Sequence, residues 1–146
     1  MQFDNSFSVQ ASLDEVFAAV SDVERVVSCV PGAAVTERRS ENVFDVALRA
    51  QVGPIFRRFT GRVTVHERDR AARRVVMTNR ASDARGRYVG EARIEIGLAE
   101  LGSHTNVSIY SRVTVADGML AEKTITRGSA KQMAGFAANL RALVTG

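Results

Sequence analysis

The chain has no tryptophan, a single cysteine, and only two each of proline, tyrosine and histidine. Each scarcity removes a class of explanation. One thiol, Cys29, cannot close an internal disulfide, so nothing calls for an oxidising compartment. Cys29 also lies beside apolar Val30 and has no histidine placed near it, which reads as a buried, inert thiol rather than a nucleophile. His66 and His104 have no cysteine, histidine or carboxylate partner at ligand spacing, and no metal site follows. Ser-centred hydrolase signatures and phosphate-cradling glycine loops are absent. With only two tyrosines, no tryptophan and no nucleic-acid motif, binding of single strands by stacking is not expected. No window approaches the roughly 20 apolar residues that span a bilayer. The opening Met1-Gln2-Phe3-Asp4-Asn5 lacks the basic start and apolar run of a signal peptide, so a cytoplasmic address is expected.

What remains is an ordinary globular composition. The 146 residues, 45% hydrophobic and 25% charged, fit one domain spanning 1–146. The net charge of +4 comes from arginine, which greatly outnumbers lysine. Arg57, Arg58 and Arg62 cluster, as do Arg68, Arg70, Arg73 and Arg74, while most others alternate with acids as on solvated strand faces. Contact with a membrane surface or an acidic protein is the competing reading of these clusters.

Periodicity supplies the elements. Phe3, Asn5, Phe7 and Val9 alternate with polar residues, the signature of a half-buried strand. The period then changes: Ser12 and Glu15 form a capping box ahead of Val16, Phe17 and Val20. Asp22 caps a second short helix through Val23, Val26 and Val27, which Pro31-Gly32 stops. Strands follow. One, 43–52, turns Phe44, Val46, Leu48, Ala50 and Val52 to one face. The next, 55–67, turns Phe59, Gly61, Val63 and Val65 the same way. A strand at about 73–82 has Val75, Val76 and Met77 contiguous, so its inward face is ambiguous. Tyr88, Gly90, Ala92, Ile94, Ile96 and Leu98 form one further inward row, and Thr105 to Val115 another. Hairpin turns between them predict an antiparallel meander. A last helix from about 118 to 144 repeats Met133, Phe136, Leu140, Leu143 and Val144 along one side, with Gly128 and Gly135 expected to loosen it.

The expected fold is therefore α+β of helix-grip type: a curved antiparallel sheet of six or seven strands round a long C-terminal helix, with two short helices after the first strand. One helix cannot fill a curved sheet tightly, so a cavity suited to an apolar ligand is expected between them. Residues expected to border it are Phe17, Val27, Val30, Phe44, Leu48, Phe59, Tyr88, Ile94, Met133, Phe136 and Leu140, whereas Phe7, Val9, Val63 and Val107 read as plain core. Asp83, Arg85 and Tyr88 are the weak catalytic candidates, against the reading of Asp83-Ala84-Arg85-Gly86 as a turn. Asp45 and Arg49 share a strand face and read as an exposed pair of little energetic weight.

An ordered set of short motifs resembles the carbon monoxide dehydrogenase G-subunit family of the START/Bet v 1-like (SRPBCC) superfamily. It runs from Val30-Pro31-Gly32-Ala33 through Val52-Gly53-Pro54-Ile55, Phe59-Thr60-Gly61, Asp83 with Arg85-Gly86, and Gly118-Met119-Leu120-Ala121 to Met133, Phe136, Asn139 and Leu140. The resemblance implies a non-catalytic accessory protein of a molybdenum hydroxylase that binds a hydrophobic, quinone- or lipid-like molecule and needs no cofactor. Glu122-Lys123-Thr124 is more polar than the family pattern at that point. Some members carry a C-terminal tail associated with the membrane; this sequence ends at Gly146, so membrane contact is expected to be peripheral at most. Two alternatives stay open: a cyclase- or hydratase-type enzyme using Arg85 and Tyr88 in the cavity, and a protein-interaction module for hydroxylase maturation.

Overall fold

The computed structural model describes residues 1–52, 54–116 and 122–145, with backbone only for 52 and 122–129. The elements run β1 (Gln2–Val9), α1 (Leu13–Ser21), α2 (Val23–Cys29), β2 (Ala33–Arg38), β3 (Val43–Val52), β4 (Ile55–Asp69), β5 (Arg74–Asp83), β6 (Tyr88–Leu101), β7 (His104–Val115) and α3 (Glu122–Thr145). The expected motif Gly118-Met119-Leu120-Ala121 lies outside the described residues, as does Gly53.

All seven strands join one antiparallel sheet in the order β1-β7-β6-β5-β4-β3-β2. Strands β2 to β7 are a simple meander of neighbours, and β1 closes on β7 with Phe7 opposite Val107 and Val9 opposite Thr105. Sequence alternation explains the pairing: the apolar residues of each strand stack on one face and polar residues on the other. The predicted caps are present, with Ser12 Oγ accepting from the Glu15 amide at 3.2 Å and Asp22 Oδ1 from the Glu24 amide at 3.1 Å. The core lies between the concave face and the three helices, and Val9, Val16, Val20, Val75, Val107 and Leu140 are its most completely buried members.

Strand pairing settles what periodicity left open. In β4 the register shifts between Val65 and Glu67. On its other side β5 pairs regularly with β6: Val75 and Met77 face the core with Ile96 and Ile94 opposite them, while Val76 sits opposite Glu95 and outside the core cluster, yet only 1% exposed. The second shift, between Ala81 and Ser82, pairs Ala81 with Gly90 but Ser82 with Tyr88. The extra residue, Val89, inverts the alternation ahead of it.

Helix α3 runs unbroken through both Gly128 and Gly135. Gly135 serves close approach: a Cβ there would lie 2.5 Å from Pro31 Cγ. Gly32, at φ +80°, is equally constrained, because a Cβ would meet the Arg49 carbonyl oxygen at 2.3 Å. His104 begins β7 rather than sitting in a turn. Asp45 pairs with Arg39 and Arg62, not with Arg49, whose guanidinium instead lies 4.7 Å over the Phe56 ring. Among the described residues no helix is long and apolar enough to cross a membrane.

Candidate functional site

A cavity of about 230 Å³ separates the sheet from α2 and α3. Strand alternation decides which residues line it. β1 contributes Phe3 and Asn5, β5 Met77, β6 Ala92, Ile94 and Ile96, and β7 Ile109, Ser111 and Val113. Val26 of α2 and Val30 just after it, with Gln132, Met133 and Phe136 of α3, close the other side. No described lining residue carries a formal charge, and Asn5, Ser111 and Gln132 are its polar members.

The wall on the helix side is held by the connection from α2 to β2. Asn139 Nδ2 donates to the Cys29 carbonyl at 2.9 Å, and Gln132 Nε2 donates to the Pro31 carbonyl at 3.3 Å. The first satisfies a carbonyl that the end of α2 leaves without a helical partner, and the second holds the connection just beyond it. The Gln132 Oε1 atom is buried and has no hydrogen-bond partner among the described residues. Phe136 packs edge-on against Phe7 at 6.3 Å, so a residue read as plain core braces a cavity residue from behind.

Of the residues nominated from sequence, Val30, Ile94, Met133 and Phe136 come together in the cavity wall. Val27, Phe44 and Leu140 are buried in the core cluster, with Phe17 packed against it. Leu48 and Phe59 face each other across β3 and β4, away from this lining. Sequence reasoning passed over Phe3, Asn5, Ala92, Ser111 and Val113 as cavity residues, although it placed each on an inward row. An inward row records a face, not whether the space before it is filled.

Tyr88 requires a correction. The bulge at Val89 places it opposite Ser82 on the outer face, where the Arg80 guanidinium lies 4.5 Å over its ring. Arg85 is exposed in the β5–β6 turn. The turn reading accounts for Asp83: its Oδ1 accepts from the amides of Arg85 at 2.9 Å and Arg87 at 3.0 Å, and Oδ2 accepts from Arg87 Nε at 3.0 Å. The Arg87 amide, followed by the Arg85 amide and the Arg87 side chain, holds its carboxyl below the usual range despite an opposing burial effect. A carboxylate so fully engaged is a turn staple, and Tyr88 on the far side of the sheet cannot act on a molecule in the cavity.

A second depression, of about 410 Å³, lies where the end of β4 passes the β5–β6 turn. Phe56, Phe59, Val89 and Asp83 line it together with Arg57, Arg58, Arg85 and Arg87.

Solved structures share this architecture. A conserved protein from Geobacillus kaustophilus superposes with a TM-score of 0.82 at 11% identity, covering 99% of this chain and 95% of that one. A START superfamily protein from Mycobacterium smegmatis gives 0.71 at 12% identity over 99% and 97%. The ZhuI aromatase/cyclase from Streptomyces sp. R1128 gives 0.70 at 15% identity over 99% and 93%. These likenesses show the START/Bet v 1-like fold and no more. A comparison with curated proteins finds no match by sequence. The family model for the carbon monoxide dehydrogenase G-subunit (CoxG) matches residues 6–122. That span holds both short helices, every strand from β2 to β7 and the second half of β1, and on it the chain belongs to the CoxG family.

Proposed function

We propose that the chain is a non-catalytic accessory protein that holds an uncharged apolar molecule, quinone- or lipid-like, between its sheet and its long helix, in the service of a molybdenum hydroxylase such as carbon monoxide dehydrogenase. The observation that carries the ligand reading is the 230 Å³ space with an almost wholly apolar lining and no charged member among the described residues. Interiors are normally packed with few voids larger than a water molecule. A space this size with such walls favours an apolar guest over water, which needs two to four polar partners. Burying a carboxylate there without a countercharge would cost far more than the apolar contact returns, so the guest is neutral. The volume suits a ring-sized group; a longer chain must extend through the opening. The hydroxylase partnership rests on family membership alone.

Native mass spectrometry and organic extraction of the purified chain test the reading, together with a quinone titration followed by thermal unfolding. A co-purifying neutral lipid or quinone, or a concentration-dependent rise in Tm, is expected. An empty protein whose Tm ignores quinone would overturn it. The cyclase-type alternative is disfavoured by the outward Tyr88, even though one structural neighbour is a cyclase.

A further inference from the structure

We infer that the end of the sheet formed by the β3–β4 hairpin and the β5–β6 turn is a docking surface for the anionic face of a phospholipid bilayer. Phe59 of β4 stands opposite Asp83, the last residue of β5. Residues Ile55 to Arg58 therefore project past β5, paired only with β3, as a two-stranded ribbon. Ile55 and Phe56 are each 57% exposed on that ribbon. Because successive strand residues point to opposite sides, the ribbon presents a large apolar side chain on both faces. Scattered apolar residues on a surface need no explanation, but two neighbours flanked by arginine on a projecting ribbon form a wedge.

The charge beside the wedge points the same way. Arg57, Arg58, Arg85 and Arg87 line the adjoining 410 Å³ groove, and Arg49 covers Phe56. The groove's acid, Asp83, is already engaged by Arg87 and the turn amides. Among the described residues Arg49, Arg57, Arg58 and Arg85 have no carboxylate partner; Arg25, Arg38, Arg68, Arg73, Arg112 and Arg141 also lack one, but the first four gather beside Phe56 and a single groove. Positive charge is thus left uncompensated at the same end as the apolar wedge. An acidic protein would satisfy the arginines but leaves the two-sided exposure of Ile55 and Phe56 without use. A bilayer takes both, phosphates against guanidinium and acyl chains against the wedge. The inference does not depend on the cavity's being occupied.

The absence of native tryptophan makes the test clean. The full chain is floated with vesicles of phosphatidylcholine alone and of phosphatidylcholine mixed with phosphatidylglycerol. Binding is expected to the mixed vesicles and to weaken as salt rises. Arg57→Glu should lower partitioning on the order of tenfold. Arg70→Glu, the same change in net charge in the turn at the other end of β4, should leave it nearly unchanged. The emission of Phe56→Trp should shift to the blue on the mixed vesicles. Binding indifferent to phosphatidylglycerol, equal losses from the two charge reversals, or an unmoved Phe56→Trp emission would each overturn the inference. All the substituted positions are exposed, and unfolding curves of each variant establish that the fold is retained.

Discussion

At the scale of single residues, the informative groups are those whose surroundings differ most from water. Burial pushes the Cys29 thiol up from its ordinary value, outweighing the Ser28 hydrogen bond and the Arg25 charge that pull it down. The folded chain therefore holds this proton more tightly than the unfolded chain does. Its contribution to stability is complete below the unfolded thiol's pKa of about 8.5 and is lost as pH rises through the higher folded value. In the native protein at pH 8, Cys29 should react with a disulfide reagent more slowly than in denaturant, since the thiolate is the reactive form and the buried thiol holds its proton more tightly. Rapid labelling of the native protein would contradict the buried placement. Asp83 has the opposite sign. Its folded pKa is lowered, so its stabilisation is present above about 3.9 and is lost as pH falls through the folded value. Asp83→Asn should lower Tm at neutral pH, and the gap from the unsubstituted chain should close in acid; a pH-independent gap would mean that the charge plays no part. Both placements were legible in sequence, Cys29 as buried and Asp83 as part of a turn, because local neighbours settle each. Tyr88 was not, since a bulge depends on how two strands pair.

At the scale of elements, the short Pro31-Gly32-Ala33 step and the long helix depend on each other. Gly135 lets α3 approach Pro31, Gln132 and Asn139 bond to carbonyls at the end of α2 and just beyond, and Gly32 takes a left-handed conformation against the Arg49 carbonyl. These contacts give a physical reason for two motif pieces that are far apart in sequence, Pro31-Gly32 and the Asn139 stretch of α3. Gly135→Val should destabilise the fold by about 1–3 kcal/mol, the usual range for overpacking a tight contact, as read by denaturant unfolding. Asn139→Ala leaves the Cys29 carbonyl without its partner and should cost about 1–3 kcal/mol. Wild-type stability in either variant would show that this junction is slack. The periods of two and 3.6 made the strands and helices legible, along with the Ser12 and Asp22 caps. The role of Gly135 was not legible, because a glycine inside a helical pattern signals weakness until the element it touches is known.

For the whole molecule, the cavity is the decisive feature. If its purpose is a guest, filling it should separate stability from binding. Ala92→Leu, which adds apolar volume to the lining, should hold or raise the melting temperature while abolishing the Tm increase produced by quinone. A variant that still responds to quinone as the unsubstituted chain does would place the guest elsewhere. A ligand present at about a hundred times its Kd stabilises by about 2.7 kcal/mol, so the contrast is readily measured.

The sequence by itself determined the element order, the inward row of almost every strand, the helix caps, the shortage of catalytic groups and the likeness to the CoxG family. All of these depend on neighbours close along the chain or on ordered motifs. Only the tertiary structure decided which inward residues border open space, that Tyr88 looks outward, and that Ile55 and Phe56 stand beside uncompensated arginines. Those outcomes depend on strand register, on the bulge at Val89 and on how closely α3 approaches the sheet. These are distances between residues remote in sequence, and periodicity carries no record of them.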